Sequence, residues 1–335
     1  MTAPRLGLRL GTRGSLLALA QSRGVAAALE SANPGLSVEL VEIRTSGDRI
    51  TDVPLGPHLG QAFFTKEIEE ALLDGRIDLA VHSCKDLGTV LPEGLTLGAI
   101  PAREDPGDAL VSRGATLADL PSGARVGTSS TRRKNFLALA RPDLDVRDQR
   151  GNVPTRVKAV DEGKLDAVVL AVAGLRRVGL GDRIVEVLPG DAMLPAGAQG
   201  ALALEIRADD ELTAKLVGSL DDPAARAEVT AERACLRRLE AGCQAPVGVL
   251  ARAGREAGGQ VGDTLEVLEV RAAAVTPEGA TWASHRGSVR DADGAGVAVA
   301  EELLERLGLA SLRDAVWAGA PPARSRAQGA PESAR

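Results

Sequence analysis

Ile68-Glu69-Glu70-Ala71-Leu72-Leu73-Asp74-Gly75-Arg76-Ile77-Asp78-Leu79-Ala80-Val81 reads as a helix that stops at a glycine and runs into a buried strand. Arg156-Val157-Lys158-Ala159-Val160-Asp161-Glu162-Gly163-Lys164-Leu165-Asp166-Ala167-Val168-Val169 repeats that grammar, with Gly75 matching Gly163, Asp78 matching Asp166 and Val81 matching Val169. Two similar α/β halves are implied. Leu8-Arg9-Leu10-Gly11 and Ala124-Arg125-Val126-Gly127 are short strands that run into polar turns, each followed by a helix. Strands alternating with helices predict largely parallel sheets covered on both faces. Ligands of such sheets bind beyond the carboxyl ends of the strands, which makes the polar turns candidate sites.

The chain has 335 residues, more than a single core usually serves, and its character changes near Pro223. A helical run through Glu232 to Glu240 leads into Gly242-Cys243-Gln244-Ala245-Pro246. Alternating segments such as Leu265-Glu266-Val267-Leu268-Glu269-Val270 then predict antiparallel strands, and a helix from Val297 to Leu307 would cover one face of that small sheet. This third domain is α+β. From Gly319 the chain is Ala, Pro, Arg, Gly and Ser with almost no large apolar residue, and disorder is expected at 320–335.

Composition excludes several partners. Aromatic residues make up 1% of the chain, Tyr is absent and the formal net charge is -6, whereas single-stranded nucleic-acid binders use stacking aromatics and basic tracts. The three cysteines, Cys84, Cys235 and Cys243, have neither a disulfide framework nor a zinc spacing, which fits a reducing compartment and a cytoplasmic protein. The apolar run Leu16 to Ala20 is too short for an export signal, and no run approaches the roughly 18 residues of a membrane span. No metal is expected. Nothing in the sequence signals an oligomer, and a monomer is the expectation.

The arginines cluster in or just after predicted turns. Arg13 and Ser15 follow the first strand, and Thr128-Ser129-Ser130-Thr131-Arg132-Arg133 follows another. Arg150 precedes a helix started by Pro154, Arg156 lies in its first turn, and Arg177 follows the strand Asp166 to Ala173 after a turn at Gly174. Helix starts favour acidic residues, so cations there call for an anionic ligand, and guanidinium forks suit carboxylates. In Val81-His82-Ser83-Cys84-Lys85-Asp86 a buried strand opens into adjacent cationic and anionic side chains. His82 reads as a packed strand residue. Cys243 sits on a turn where a thiol could be exposed, but free cysteines are more often buried and inert. On the residues alone, a solute-binding module and an enzyme with a cysteine nucleophile both remain open.

Six phrases together resemble the porphobilinogen deaminase family from Arg9 to about Leu307. They are Gly11-Thr12-Arg13-Gly14-Ser15, Ala80-Val81-His82-Ser83-Cys84-Lys85-Asp86, Arg103-Glu104-Asp105-Pro106, Val126-Gly127-Thr128-Ser129-Ser130-Thr131-Arg132-Arg133, Arg150-Gly151-Asn152-Val153-Pro154-Thr155-Arg156 and Leu239-Glu240-Ala241-Gly242-Cys243-Gln244-Ala245-Pro246. The resemblance implies two α/β domains like those of type II periplasmic binding proteins plus the small α+β domain. The expected limits are 2–105 with 201–222, then 106–200, then 223–319. It also implies a cytoplasmic transferase of tetrapyrrole synthesis that joins four porphobilinogen molecules head to tail, with loss of ammonia, on a dipyrromethane primer, and then releases hydroxymethylbilane. Asp86 matches the catalytic aspartate, which would assist ammonia loss and stabilise an azafulvene-like cation. Cys243 matches the residue whose sulfur holds the dipyrromethane by a thioether. Arg13, Ser15, Ser83, Lys85, Thr128, Ser129, Ser130, Arg132, Arg133, Arg150, Arg156 and Arg177 match carboxylate-binding positions, and Gln21, Lys66 and Gln199 are further candidates. Three positions depart from the family pattern: Gln61 replaces a loop lysine, Gly88 a proline, and Ala198 a glycine at an expected crossing between domains.

Overall fold

The computed structural model describes residues 6–45, 65–241, 245–257, 264–276 and 279–313; Gln61, Cys243 and the 320–335 segment lie outside them. Strands β1 (Leu6–Thr12), β2 (Leu36–Glu42), β3 (Leu79–Ser83), β10 (Leu202–Arg207) and β4 (Leu95–Ala99) form one sheet in the order β2-β1-β3-β10-β4. Strands β5 (Asp108–Ser112), β6 (Arg125–Gly127), β7 (Asp145–Arg147), β8 (Ala167–Ala171) and β9 (Glu186–Val187) form a second, in the order β7-β6-β8-β5-β9. In each sheet four strands share one direction and the fourth in order, antiparallel to both of its neighbours, runs against them. The antiparallel member is the exchanged one. The chain leaves the first sheet after β4, enters the second at β5, and returns after β9 to supply β10.

The repeat read from sequence is a structural repeat with matching contacts. Gly75 and Gly163 both adopt φ 68°, the left-handed conformation that ends each helix. Asp78 accepts hydrogen bonds from the backbone N, Nε and Nη2 of Arg9 on β1, and Asp166 accepts the same three from Arg125 on β6. A second arginine closes each turn: Arg207 donates to the carbonyls of Leu72 and Ile77, and Arg113 to those of Val160 and Leu165. These pairs hold Asp78 and Asp166 below the usual carboxylate range.

Helices α1 (Leu16–Ala32) and α2 (Lys66–Leu73) pack on the first sheet. Helices α3 (Thr131–Ala140), α4 (Val153–Asp161) and α5 (Val172–Arg177) cover the second, and α6 (Glu211–Val217) returns to the first. Gly174 lies inside α5, so the expected strand to Ala173 stops at Ala171 and Arg177 ends a helix instead of following a turn. There its charge suits the negative end of the helix dipole. Beyond, α7 (Pro223–Leu239) and α8 (Ala292–Leu307) pack on the antiparallel sheet of β11 (Val247–Ala257), β12 (Thr264–Thr276) and β13 (Gly279–Ser288). Helix α8 starts at Ala292, earlier than expected, because Asp291 caps it by accepting from Gly294 N.

The molecule is therefore two α/β domains of one topology joined by a double crossing, with a third α+β domain. With so few aromatics, its cores are packed from Leu, Val, Ile and Ala.

Candidate active site

Every cation singled out from sequence except Lys66 lies at or near the carboxyl end of a parallel strand, where such sheets expose their loops. Arg13 and Ser15 follow β1, and Ser15 caps α1 by accepting from Ala18 N. Ser83 ends β3, and Lys85 and Asp86 fall on the single 3-10 turn Cys84–Asp86 that follows it. Ser83 is held by Gln21 of α1, whose Nε2 donates to its hydroxyl at 2.9 Å. Lys85 is half-buried and Asp86 exposed, so the carboxylate is presented while the ammonium is drawn inward. Lys66 lies apart, exposed at the start of α2 beside Glu70 at 3.9 Å.

From the second sheet, Ser130 caps α3 by accepting from Arg133 N, and Thr128 Oγ1 accepts from Ser130 N. Ser129 donates to the carbonyl of Gln149, tying this turn to the segment that carries exposed Arg150. Asn152 caps α4 and places Arg156, whose Nε donates to the Gly151 carbonyl at 2.7 Å. Burial, and then the neighbouring charges of Arg133 and Arg150, push the Arg156 guanidinium down to about 10. Arg177 reaches the Gly200 carbonyl at 2.7 Å, and burial lowers it too.

The two halves of this set meet through Gln199. Lys85 Nζ donates to Gln199 Oε1 at 3.1 Å, and Gln199 Nε2 donates to Asp108 Oδ1 at 2.8 Å. Asp108, fully buried at the start of β5, also accepts from Arg132 Nη1 at 2.7 Å and from Arg133 Nε and Nη2 at 3.0 and 2.7 Å. Burial would raise this carboxyl, but Arg132 and then Arg133 hold it well below the usual carboxylate range. Lys85 is pushed down to about 8, first by burial, with Arg133 and Arg132 adding to the shift and Asp86 and Asp108 opposing it. Arg132 and Arg133 are thus buried and paired with Asp108, whereas Arg150 is exposed.

Sequence reasoning missed Asp108 and the carboxylates Glu228 and Glu232 of α7, which take Arg103 between them. The only sequence signal was an excess of turn cations lacking local counter-charge. Among the described residues no group of three or more potential metal ligands converges, and no helix is long and apolar enough to cross a membrane.

Arg156, on which the charges of Arg133 and Arg150 both act, marks a concentration of positive charge that fits a ligand carrying several carboxylates. Residues 8–215 match the family model "Porphobilinogen deaminase, dipyromethane cofactor binding domain", and residues 226–305 match "Porphobilinogen deaminase, C-terminal domain". The chain is 50% identical over 300 residues to a porphobilinogen deaminase of Moorella thermoacetica, covering 89% of this chain and 93% of that one. It is 50% identical over 306 residues to one from a Roseiflexus species, covering 91% and 98%. Among solved structures, the BvgS VFT2 domain of Bordetella pertussis overlaps 64% of this chain and 86% of its own, with TM-score 0.38 and 16% identity. A site rich in arginine forks, the cofactor-domain match over 8–215 and half-identical relatives spanning nearly the whole chain lead to one assignment: this chain belongs to the porphobilinogen deaminase family.

Proposed function

We propose that the chain is a cytoplasmic, monomeric transferase that condenses four porphobilinogen molecules head to tail with loss of ammonia and releases hydroxymethylbilane. The observation that carries this is the Asp86 turn: an exposed carboxylate just after β3, next to Lys85, which reaches Gln199 and through it the Asp108–arginine cluster of the second sheet. Family membership agrees with it. Bound dipyrromethane supplies the pyrrole carbon on which the chain starts. Arg13, Arg150, Arg156 and Arg177 pair with acetate and propionate carboxylates, with Arg132, Arg133 and Lys85 behind them. Ser15, Ser83, Thr128, Ser129 and Ser130 shape the turns that present these groups.

Loss of ammonia from the substrate's aminomethyl carbon leaves a cation conjugated with the pyrrole N–H. Asp86 accepts that N–H and stabilises the charge, a fixed electrostatic group facing a cation that exists only along the reaction. The domain limits that suit this reading are 2–105 with 201–222, then 106–200, then 223–319. Cys243, outside the described residues, is the proposed attachment point in the third domain.

The test has two parts. Intact mass of denatured, reduced protein should exceed the sequence mass by one dipyrrole unit, located on Cys243 by peptide mapping and absent from Cys243→Ser. Asp86→Asn should keep the adduct and fold while losing turnover by more than a hundredfold, about 3 kcal/mol of barrier. An unmodified, fully active parent would eliminate the covalent primer, and near-normal turnover of Asp86→Asn would remove the aspartate from the chemistry.

A further inference from the structure

Asp108 is a fully buried carboxylate near the site, and neither motif nor repeat points to it. It opens β5, the first residue of the second sheet after the outgoing crossing, and is fully buried. Its Oδ2 accepts from Arg132 Nη1; its Oδ1 accepts from Arg133 Nε, Arg133 Nη2 and Gln199 Nε2. Each arginine is then braced by a carbonyl, Arg132 by Leu194 at 2.6 Å and Arg133 by Val169 at 3.0 Å. The other amide atom of Gln199, Oε1, accepts from Lys85 Nζ and, at 3.4 Å, from Arg133 Nη2. One buried carboxylate thereby fixes two guanidinium planes of the second domain. Through one amide it also fixes the ammonium that the first domain presents beside Asp86.

The geometry points to Asp108 as a positioning residue that sets the aim of Arg132, Arg133 and Lys85 toward ligand carboxylates without touching the ligand itself. This rests on the functional reading above and adds a residue to it. Two adjacent buried arginines with no counter-charge would repel each other and bear the full desolvation cost. Asp108 offsets one of their two charges, and the net charge that remains is positive. An aspartate here thus balances the pair without cancelling its pull on an anion. Its short side chain also keeps both forks anchored to one strand end.

Asp108→Asn preserves shape and removes the charge, and it turns an amide donor toward two guanidinium donors. Substrate carboxylates lie away from the reacting carbon, so misplacing their partners weakens ground-state and transition-state binding alike. KM for porphobilinogen should rise at least tenfold with a smaller change in kcat, and the loaded fraction seen by intact mass should fall. The alkaline limb of kcat/KM should move to lower pH. Of the charged groups that face Lys85, namely Asp86, Asp108, Arg132 and Arg133, the variant deletes one that sustains its charge and leaves both that oppose it.

A parent enzyme without any dipyrrole adduct would sink the functional reading itself, whatever Asp108 does. With a loaded parent, parental KM and an unmoved alkaline limb in Asp108→Asn would overturn the positioning role, even if its thermal midpoint dropped. If Asp108→Asn does not fold, Asp108→Glu keeps the charge but displaces it by one methylene: a raised KM supports the assignment, and a parental KM overturns it.

Discussion

Lys85 shows how far a residue's chemistry depends on neighbours remote in the chain. Sequence presents a Lys-Asp pair at a strand end, which is usually a solvated ion pair of little energetic worth. In the fold the two side chains part, Asp86 exposed and Lys85 drawn toward Gln199 and a cluster of arginines. Burial pushes Lys85 down to about 8, below an ordinary lysine, so its charge is present below that pH and lost above it. Because the cationic form binds carboxylates, kcat/KM for porphobilinogen should fall as pH rises through about 8. Lys85→Arg, charged throughout, should extend the plateau past pH 9 even if its maximum is lower; a limb that stays in place would show that another group titrates. His82 illustrates the same limit on reading sequence. It is a packed strand residue as expected, but its partner Glu205, 2.9 Å away, lies on the strand that returns from the second domain. No local signal could have named it.

At the scale of elements, what was legible followed from local rules. The two helix-glycine-strand units, the helix started by Pro154 and the arginines at strand ends were all visible, because turn chemistry and periodicity act over a few residues. Gly174 was misread because a glycine is a turn signal only until something packs against it. Here side chains of Val153 and Leu17 lie 3.7 and 4.0 Å from where its Cβ would be, and the helix continues through it. The helix starts also separate the arginines by environment, which gives a graded prediction. Arg150→Lys and Arg156→Lys keep the charge but lose the planar fork. Both should slow elongation, and Arg156→Lys should do so more strongly, by roughly tenfold or above, because the more buried Arg156 has less water available to replace a lost hydrogen bond. Quantifying enzyme-bound pyrrole intermediates by mass after a short pulse of substrate would check this. Equal, parental distributions in both variants would mean that charge alone is read.

Across the whole molecule, the three domains are tied together at one buried carboxylate that no sequence pattern announced. Glu232 of α7 is fully buried, and its two oxygens accept from Arg103 Nη1 and Nη2 at 2.8 and 2.9 Å, from Ala251 N of β11 at 2.7 Å and from Ala198 N. Arg103 lies on the outgoing crossing and Ala198 on the return, so a single side chain of the third domain grips both connections. The crossings also touch each other, since Arg103 Nε donates to the Gln199 carbonyl, and a Cβ on Gly200, at φ 89°, would collide with the Glu104 carbonyl. Ala198 is held in the left-handed region at φ 61°, which favours glycine, so part of the grip on its N–H offsets backbone strain. Burial alone would lower Arg103, but Glu232 and then Glu228 more than compensate and leave it above its ordinary value. Glu232→Ala would leave Arg103 with Glu228 as its remaining counter-charge and strand two backbone donors, and should cost about 3 kcal/mol or more of unfolding free energy. Glu301→Ala, which breaks the exposed pair with Arg238, should cost under about 1 kcal/mol. Urea unfolding of both variants, followed by far-ultraviolet circular dichroism, measures the contrast. If Glu232 acts as the joint between domains, its variant should also split the parental transition into two, with the third domain melting separately from the α/β pair. A single cooperative transition with a loss no larger than that of Glu301→Ala would show that the domains are held together elsewhere.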